Sequence, residues 1–373
     1  MSVMSVAKLS KNVDIDKKNV QILWLLMKYL LFLPKLRTIT IVNIVNFMIE
    51  STFKSRVVGV GLSIDQTVFA VVDVRGNIIA KSQFATTDFN NVNEFVTFLC
   101  ERIVELVEAN GGYETIRSVG ISVPSGNFKS GCMENSPNLP WKGQIPLAAM
   151  MRDRLGLAVA LGNDAHVRAL GEYVFGSAHG LKDFIVVHLG HGVGSSIFTN
   201  GKAYLGSDGF SGEIGHTCLV HGGRLCGCGN KGCLEAYVGA RGVMKTTQEV
   251  LEEDARPSLM REREINSPHD VFRCCEEGDE LAIEVFRRTG YLLGIGLANY
   301  ASILNPEAII LAGGISHAGK WLIEPASESF EEHVFHNIKG KVKLLQTSLN
   351  PDERDVLGAS ALVWDVKEYS LFI

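Results

Sequence analysis

Two stretches of the sequence open in the same way, and this duplication constrains the fold more than any other feature. RVVGVGLSIDQTVFAVVDVRGNIIAKSQF, from Arg56, reads as two β-rich runs around a turn at Arg75-Gly76-Asn77, with a third run arriving near Ala80. DFIVVHLGHGVGSSIFTNGKAYLG, from Asp183, reads as strand, glycine turn, strand, turn, strand. Two halves that begin alike predict two related lobes facing one cleft. After the first opening, NVNEFVTFLCERIVELVEAN has apolar residues three and four apart until Gly111-Gly112 ends the helix. IRSVGISVP is a strand stopped by proline, LAAMMRDRLG a helix, and LAVALGND a strand with polar residues at its carboxyl end. The second half continues with helices over 240–253 and 280–304, the strand AIILAGG and a final helix, GASALVWDVKEY. This order predicts an α/β protein with ligand chemistry at strand ends.

Residues 1–54 differ from the rest. They hold two helical patterns, 17–32 and 38–50, separated by Pro34. They read either as a helix-turn-helix or as a helical hairpin packed on the main body or on a second subunit. The apolar run VQILWLLMKYLLFL, residues 20–33, is too short to span a bilayer, carries Lys28 and lacks a small-residue cleavage pattern. The expectation is a buried helix in a soluble, cytoplasmic protein with no membrane contact, forming a homodimer or homotetramer. A net charge of -5 offers no global attraction to nucleic acid, so DNA would need a local basic patch.

Three of the eight cysteines crowd into eight positions of HTCLVHGGRLCGCGNKGCLEAY, residues 216–237. So few cysteines do not make a disulfide scaffold. His216, Cys226, Cys228 and Cys233 supply one imidazole and three thiols, the donor set of a closed tetrahedral zinc site. Gly227, Gly229 and Gly232 let the backbone wrap tightly enough for three sulfurs to converge. Four protein ligands leave no open position, so the expected zinc is structural; Cys218 and His221 read as ordinary loop residues.

In LGNDAHVRALGE, Asp164 sits where a strand ends and a helix begins. There it serves either as a general base toward a substrate hydroxyl or as an N-cap, and taken alone the cap is favoured. SGEIGH and GCLEAY place Glu213 and Glu235 on either side of the metal segment. Tethered by a shared ion, they could act with Asn138 and Asn163 to fork hydrogen bonds to adjacent hydroxyls, the arrangement that vicinal diols of a sugar demand.

With GEIGH, CGCGNKGCLE, SPNLPW, GNDAHVRALGE, HGVGSSI and NPEAIILAGG in this order, the chain resembles the ROK family of repressors, open reading frames and sugar kinases. The resemblance runs from Val57 to the C-terminus and implies the two-lobed actin-like ATPase (ribonuclease H-like) fold. It divides the chain into a helical segment at 1–54, a first lobe at 55–170 completed by the C-terminal helix 355–373, and a second lobe at 171–354 carrying the zinc. It implies that His216, Cys226, Cys228 and Cys233 bind zinc, that Asp164 is the base for a sugar 6-hydroxyl, and that Asn138, Asn163, Glu213, His216 and Glu235 contact the sugar.

The departures from the family's kinases point toward its transcriptional-regulator branch. Those kinases share a DxGGT loop, whereas GLSIDQT places Gly61 at the aspartate and Ser63 and Ile64 at the glycines. The change removes a group that handles Mg2+ and obstructs backbone approach to phosphate. His191 stands where kinases usually have threonine, an exchange that resembles the regulators. Residues 17–50 resemble a degenerate winged helix-turn-helix, with Lys35 and Arg37 the basic residues near the presumed DNA-facing helix. The expected function is therefore a sugar-responsive regulator. The alternative is an ATP-dependent sugar kinase in which Gly190, Gly192, Gly194, Gly313 and Gly314 cradle the phosphates of ATP, with Mg2+.

Overall fold

The computed structural model describes residues 54–136, 139–207 and 211–364. The helices expected before residue 54, and with them the segment 17–50 expected to face DNA, lie outside the described residues, as does Asn138. Among the described residues, no helix is long and apolar enough to cross a membrane.

The first lobe is built on strands β1 (Arg56–Leu62), β2 (Gln66–Asp73), β3 (Ile78–Ala85), β4 (Ile116–Val123) and β5 (Ala158–Asn163), in the order β3-β2-β1-β4-β5. The first three pair antiparallel and β1, β4 and β5 pair parallel. The second lobe repeats the plan with β6 (Phe184–Leu189), β7 (Val193–Thr199), β8 (Lys202–Ala203), β9 (Ala308–Ala312) and β10 (Lys343–Gln346), in the order β8-β7-β6-β9-β10. Again the first three pair antiparallel and the last two add in parallel. The central strands β1, β4, β6 and β9 are buried along nearly their whole length, which explains their continuous Val, Ile and Leu runs.

Helices α1 (Val92–Glu108) and α2 (Leu147–Leu155) cover one face of the first sheet, with Phe95, Leu99, Ile103 and Met151 against Val60, Ile121 and Leu161. The other face takes the C-terminal helix: beyond α3 (Asp164–Phe175), α4 (Ala240–Glu253), α5 (Pro268–Glu276), α6 (Glu280–Leu304) and α7 (Lys320–His333), it is α8 (Arg354–Val363). Glycine is what lets α8 lie so close. A Cβ on Gly59 would fall 2.0 Å from the carbonyl oxygen of Val356, and one on Gly120 1.9 Å from that of Ala359. Helices α4 to α7 bury Val243, Val271, Phe286, Leu293 and Phe330 against Val187, Leu189, Ile309 and Leu311 of the second sheet. Helix α3 runs between the lobes. Its Ala169 and Tyr173 pack on Phe184 and Phe198 of the second sheet, while Gly171 faces α8.

The structure differs from the sequence reading in three places. The run before Arg75 is two strands, parted by a turn at Ser63–Asp65 in which the Ser63 N–H and hydroxyl both donate to the Gln66 carbonyl, at 3.0 and 2.8 Å. Helices α5 and α7 and strand β10 were not anticipated; α7 holds Pro325 in its interior, which obscured it. Helix α8 begins at Arg354, before the glycine at which the final helix was expected.

Candidate functional site

A cleft of about 1070 Å3 lies between the lobes, at the carboxyl ends of the central strands. The first lobe contributes the turn after β1, Asp164 and Arg168 of α3, and Arg354 and Asp355 of α8. The second contributes the turn after β6, Glu213, His216, Glu235 and Gly314. Of the residues singled out in the sequence, Asp164, Glu213, His216, Glu235, Gly190, Gly192, Gly194 and Gly314 therefore share one cavity. Gly313 lies behind it, at φ 94° and packed on the Leu189 backbone.

The capping role belongs to Asn163 and not to Asp164. Asn163 is the N-cap of α3 and its side-chain oxygen accepts the Ala165 N–H at 3.0 Å, so this amide is engaged in holding the helix start. Asp164 is the first helical residue. Its Oδ1 also accepts the Ala165 N–H, at 2.9 Å, and its Oδ2 lies 3.2 Å from Nη1 of Arg168, one turn along the helix.

The metal-type cluster assembles as the donor spacing suggested. One ligand atom from each of His216, Cys226, Cys228 and Cys233 lies within 4.8 Å of all the others. Cys226 Sγ is 3.7 Å from His216 Nδ1, and Cys228 Sγ is 3.7 Å from Cys233 Sγ. Zinc bonds of about 2.0–2.3 Å set tetrahedrally give ligand separations of roughly 3.3–3.8 Å, so the donors fit this ion in kind and these two separations fit it in length. Gly229 and Gly232, at φ 94° and 82°, turn the chain back on itself, and a Cβ on Gly232 would meet the Val220 carbonyl oxygen at 1.8 Å. Burial pushes the Cys226 thiol up to about 12, whereas the Asn230 N–H pulls Cys228 down. A cation amid the donors would offset the cost of ionising the buried thiol. Cys218 is exposed and, with His221, stands outside the four.

Glu235 follows the last of these cysteines and stitches the cluster to the turn after β6. Its Oε2 accepts the Val193 N–H at 2.9 Å, and its Oε1 accepts from Cys226 Sγ at 3.4 Å and lies 4.0 Å from His216 Nδ1. A Cβ on Gly192 would sit 2.5 Å from the same carboxylate, so a glycine there makes room for it.

Residues that the sequence reading missed occupy the floor of the cleft. Arg168 grips Asp355 with Nε at 2.5 Å and Nη2 at 3.2 Å, a bidentate pairing, while its Nη1 faces Asp164. Burial opposes the charge on Arg168, but Asp355 and Asp164 outweigh it and hold the guanidinium above the ordinary arginine range. Arg354 is pushed the other way, by burial and by Arg168, and its buried Nε has no hydrogen-bond partner among the described residues. His188, at the end of β6, is held neutral: burial, Arg168 and Arg354 all press it well below the usual imidazole value. The Asp164–Arg168 contact was legible as an i,i+4 pair on a predicted helix. Asp355 was not, because 187 residues separate it from Arg168.

The family model described as ROK matches residues 57–366, and the chain belongs to the ROK family. It has the family's two-lobed actin-like fold. A glucokinase from Halalkalibacterium halodurans is 32% identical over 252 residues, 66% of this chain and 76% of that protein. A xylose repressor from Caldicellulosiruptor bescii is 27% identical over 316 residues, covering 82% of this chain and 77% of the repressor. Among solved structures, a ROK family glucokinase from Streptomyces griseus in complex with glucose and AMPPNP superposes with a TM-score of 0.68 at 28% identity, over 82% of this chain and 98% of that one. Both repressors and glucokinases therefore stand among its relatives.

Proposed function

We propose that this protein is a sugar-responsive transcriptional regulator that binds a hexose or amino sugar in the interlobe cleft. Asp164, Glu213, His216 and Glu235 face the sugar hydroxyls, aided by Asn163 and Asn138. Zinc held by His216, Cys226, Cys228 and Cys233 is structural: when bound, it cross-links the loop that carries Glu235 and leaves the chemistry to the side chains. With Nδ1 of His216 turned to the sulfurs, Nε2 is left to donate to a ligand. Closure of the lobes on sugar would be passed through a homodimer or homotetramer to residues 17–50, where it biases DNA affinity.

The observation that carries the regulator reading is the turn after β1. Gly61 brings no carboxylate for Mg2+, Ser63 closes the turn on itself, and the side chain of Ile64 stands 42% exposed in the cleft where phosphate would approach. One observation favours the kinase reading, in which Mg2+ and ATP would be used: Asp164 lies in the cleft at the start of α3, with Gly190, Gly192, Gly194 and Gly314 lining the same cavity. Titration calorimetry with D-glucose and N-acetyl-D-glucosamine, beside a coupled assay with ATP and Mg2+, separates the two. Sugar binding without turnover is the expected result. Turnover abolished by Asp164→Asn would overturn the regulator-only reading.

A further inference from the structure

We infer that Arg168 is a positioning residue for the sugar site: it fixes the Asp164 carboxylate toward the ligand and ties it, through Asp355, to the C-terminal helix. This rests on the proposed placement of a sugar hydroxyl at Asp164. Three contacts use three different guanidinium nitrogens. Nε and Nη2 take Asp355, and Nη1 takes Asp164 at 3.2 Å. Only a planar fork can hold two carboxylates in this way; a lysine ammonium could face one or share itself loosely between both. The three side chains are 19%, 28% and 27% exposed, so the network is shielded but open to the cleft that all three residues line.

Asp164 is thereby left with one defined task. Oδ1 accepts the Ala165 N–H and Oδ2 faces Arg168, and the remaining lone pairs accept from a ligand hydroxyl. Because the carboxylate is already oriented, a ligand does not have to order it on binding. Gly61 completes the arrangement. A Cβ built there would lie 2.7 Å from Cβ of Asp355, so side chains at positions 61 and 355 compete for the same space. The bare Gly61 gives Asp355 room to reach Arg168. The missing side chain at position 61, near the end of β1, and the Asp164–Arg168–Asp355 network are therefore linked sterically.

The test is a cycle between protein and ligand, read by calorimetry on the full chain with D-glucose and N-acetyl-D-glucosamine and their 6-deoxy counterparts. The wild type should bind at least one parent sugar about tenfold more tightly than its 6-deoxy form, the range for a hydrogen bond to a charged group. Arg168→Ala should weaken the parent sugar about tenfold and the 6-deoxy form less than twofold, so the discrimination collapses. Arg168→Lys should restore part of it, and Asp355→Asn, which leaves Arg168 facing Asp164, should give an intermediate loss in the same direction. If Arg168→Ala weakens both forms equally, or if Arg168→Ala and Asp355→Asn both leave the discrimination intact, the inference is wrong while the sugar reading stands. If the wild type binds none of these sugars, or does not distinguish the 6-deoxy forms, the placement of a sugar at Asp164 fails first and this inference falls with it. Melting temperature and zinc content identify a variant that has not folded, in which case Asp355→Asn decides.

Discussion

The turns after β1 and β6 occupy equivalent places in two sheets of the same strand order, and both open on the cleft, yet they are built on opposite principles. The turn after β6 needs glycine at 192 because another element leans on it: the Glu235 carboxylate fills the space that a Gly192 side chain would take and binds the Val193 N–H. The turn after β1 contains no glycine. It is closed by its own Ser63, and the neighbouring glycine, Gly61, sits in the strand where it yields room to Asp355. One turn is shaped by the Glu235 carboxylate; the other closes on itself, and it is the strand end before it that is shaped by the C-terminal helix. Equivalent positions in a duplicated fold are thus specialised by whatever packs against them.

This difference predicts that chelation reaches one turn and not the other. Cys228→Ser has the largest expected effect, since the thiol is exposed and its loss costs the core little beyond the metal itself. Wild-type melting should fall by roughly 5 °C or more on addition of EDTA, as for removal of any tightly held native-state ligand. Cys228→Ser should begin at the lower value and ignore the chelator. Hydrogen exchange should quicken at residues 189–194, reached through Glu235, and stay unchanged at 61–66. Equal quickening at both turns would mean that they are coupled and the comparison is false.

A smaller effect follows from sterics within the turns. Gly192→Ala must push Glu235 off the Val193 N–H, leaving a half-buried hydrogen bond broken at a cost of about 1–3 kcal/mol. The affinity for sugar should fall about tenfold with it. Ile64→Gly, in the turn of the first lobe, alters a residue that is 42% exposed and should cost only about 0.5–1 kcal/mol, through backbone entropy. Denaturant unfolding of the two variants side by side checks the ranking.

How much of this could be read from the sequence depended on how far apart the interacting residues lie. The metal donors fall within 18 positions, between His216 and Cys233, so their convergence was written into local spacing, and the paired strand openings announced the two sheets. Adjacent Asn163 and Asp164 are both favoured caps, and spacing alone cannot say which one the helix takes; the structure gives the role to Asn163 and leaves Asp164 in the cleft. Helix α5 carried a readable start, with the side chains of Ser267 and Asp270 closing a capping box around Pro268, but only nine residues to confirm it. The Arg168–Asp355 pairing and the contest between Gly61 and Asp355 were hidden, because they join the first lobe's interior to the far end of the chain.

The last effect is confined to acid pH, and it concerns the strand ends themselves. The penultimate residue of β1 is the bare Gly61, whereas that of β6 is His188, an imidazole beside Arg168 and Arg354 whose buried Nδ1 has no partner among the described residues. Burial and the two guanidiniums depress its folded-state value well below 6.5, so on acidification the unfolded chain takes up a proton that the folded chain refuses. The contribution of His188 is therefore complete above the unfolded value and is lost as pH falls from about 6.5 toward the folded one, by up to about 1.4 kcal/mol per unit. His166, lowered mainly by burial with Asp164 opposing, acts in the same direction. His188→Gln should flatten the acid limb of stability against pH only in part, leaving the portion owed to His166. An acid limb equally steep in the variant would show that His188 is free to protonate in the fold, and that the second lobe's strand end is as permissive as the first's.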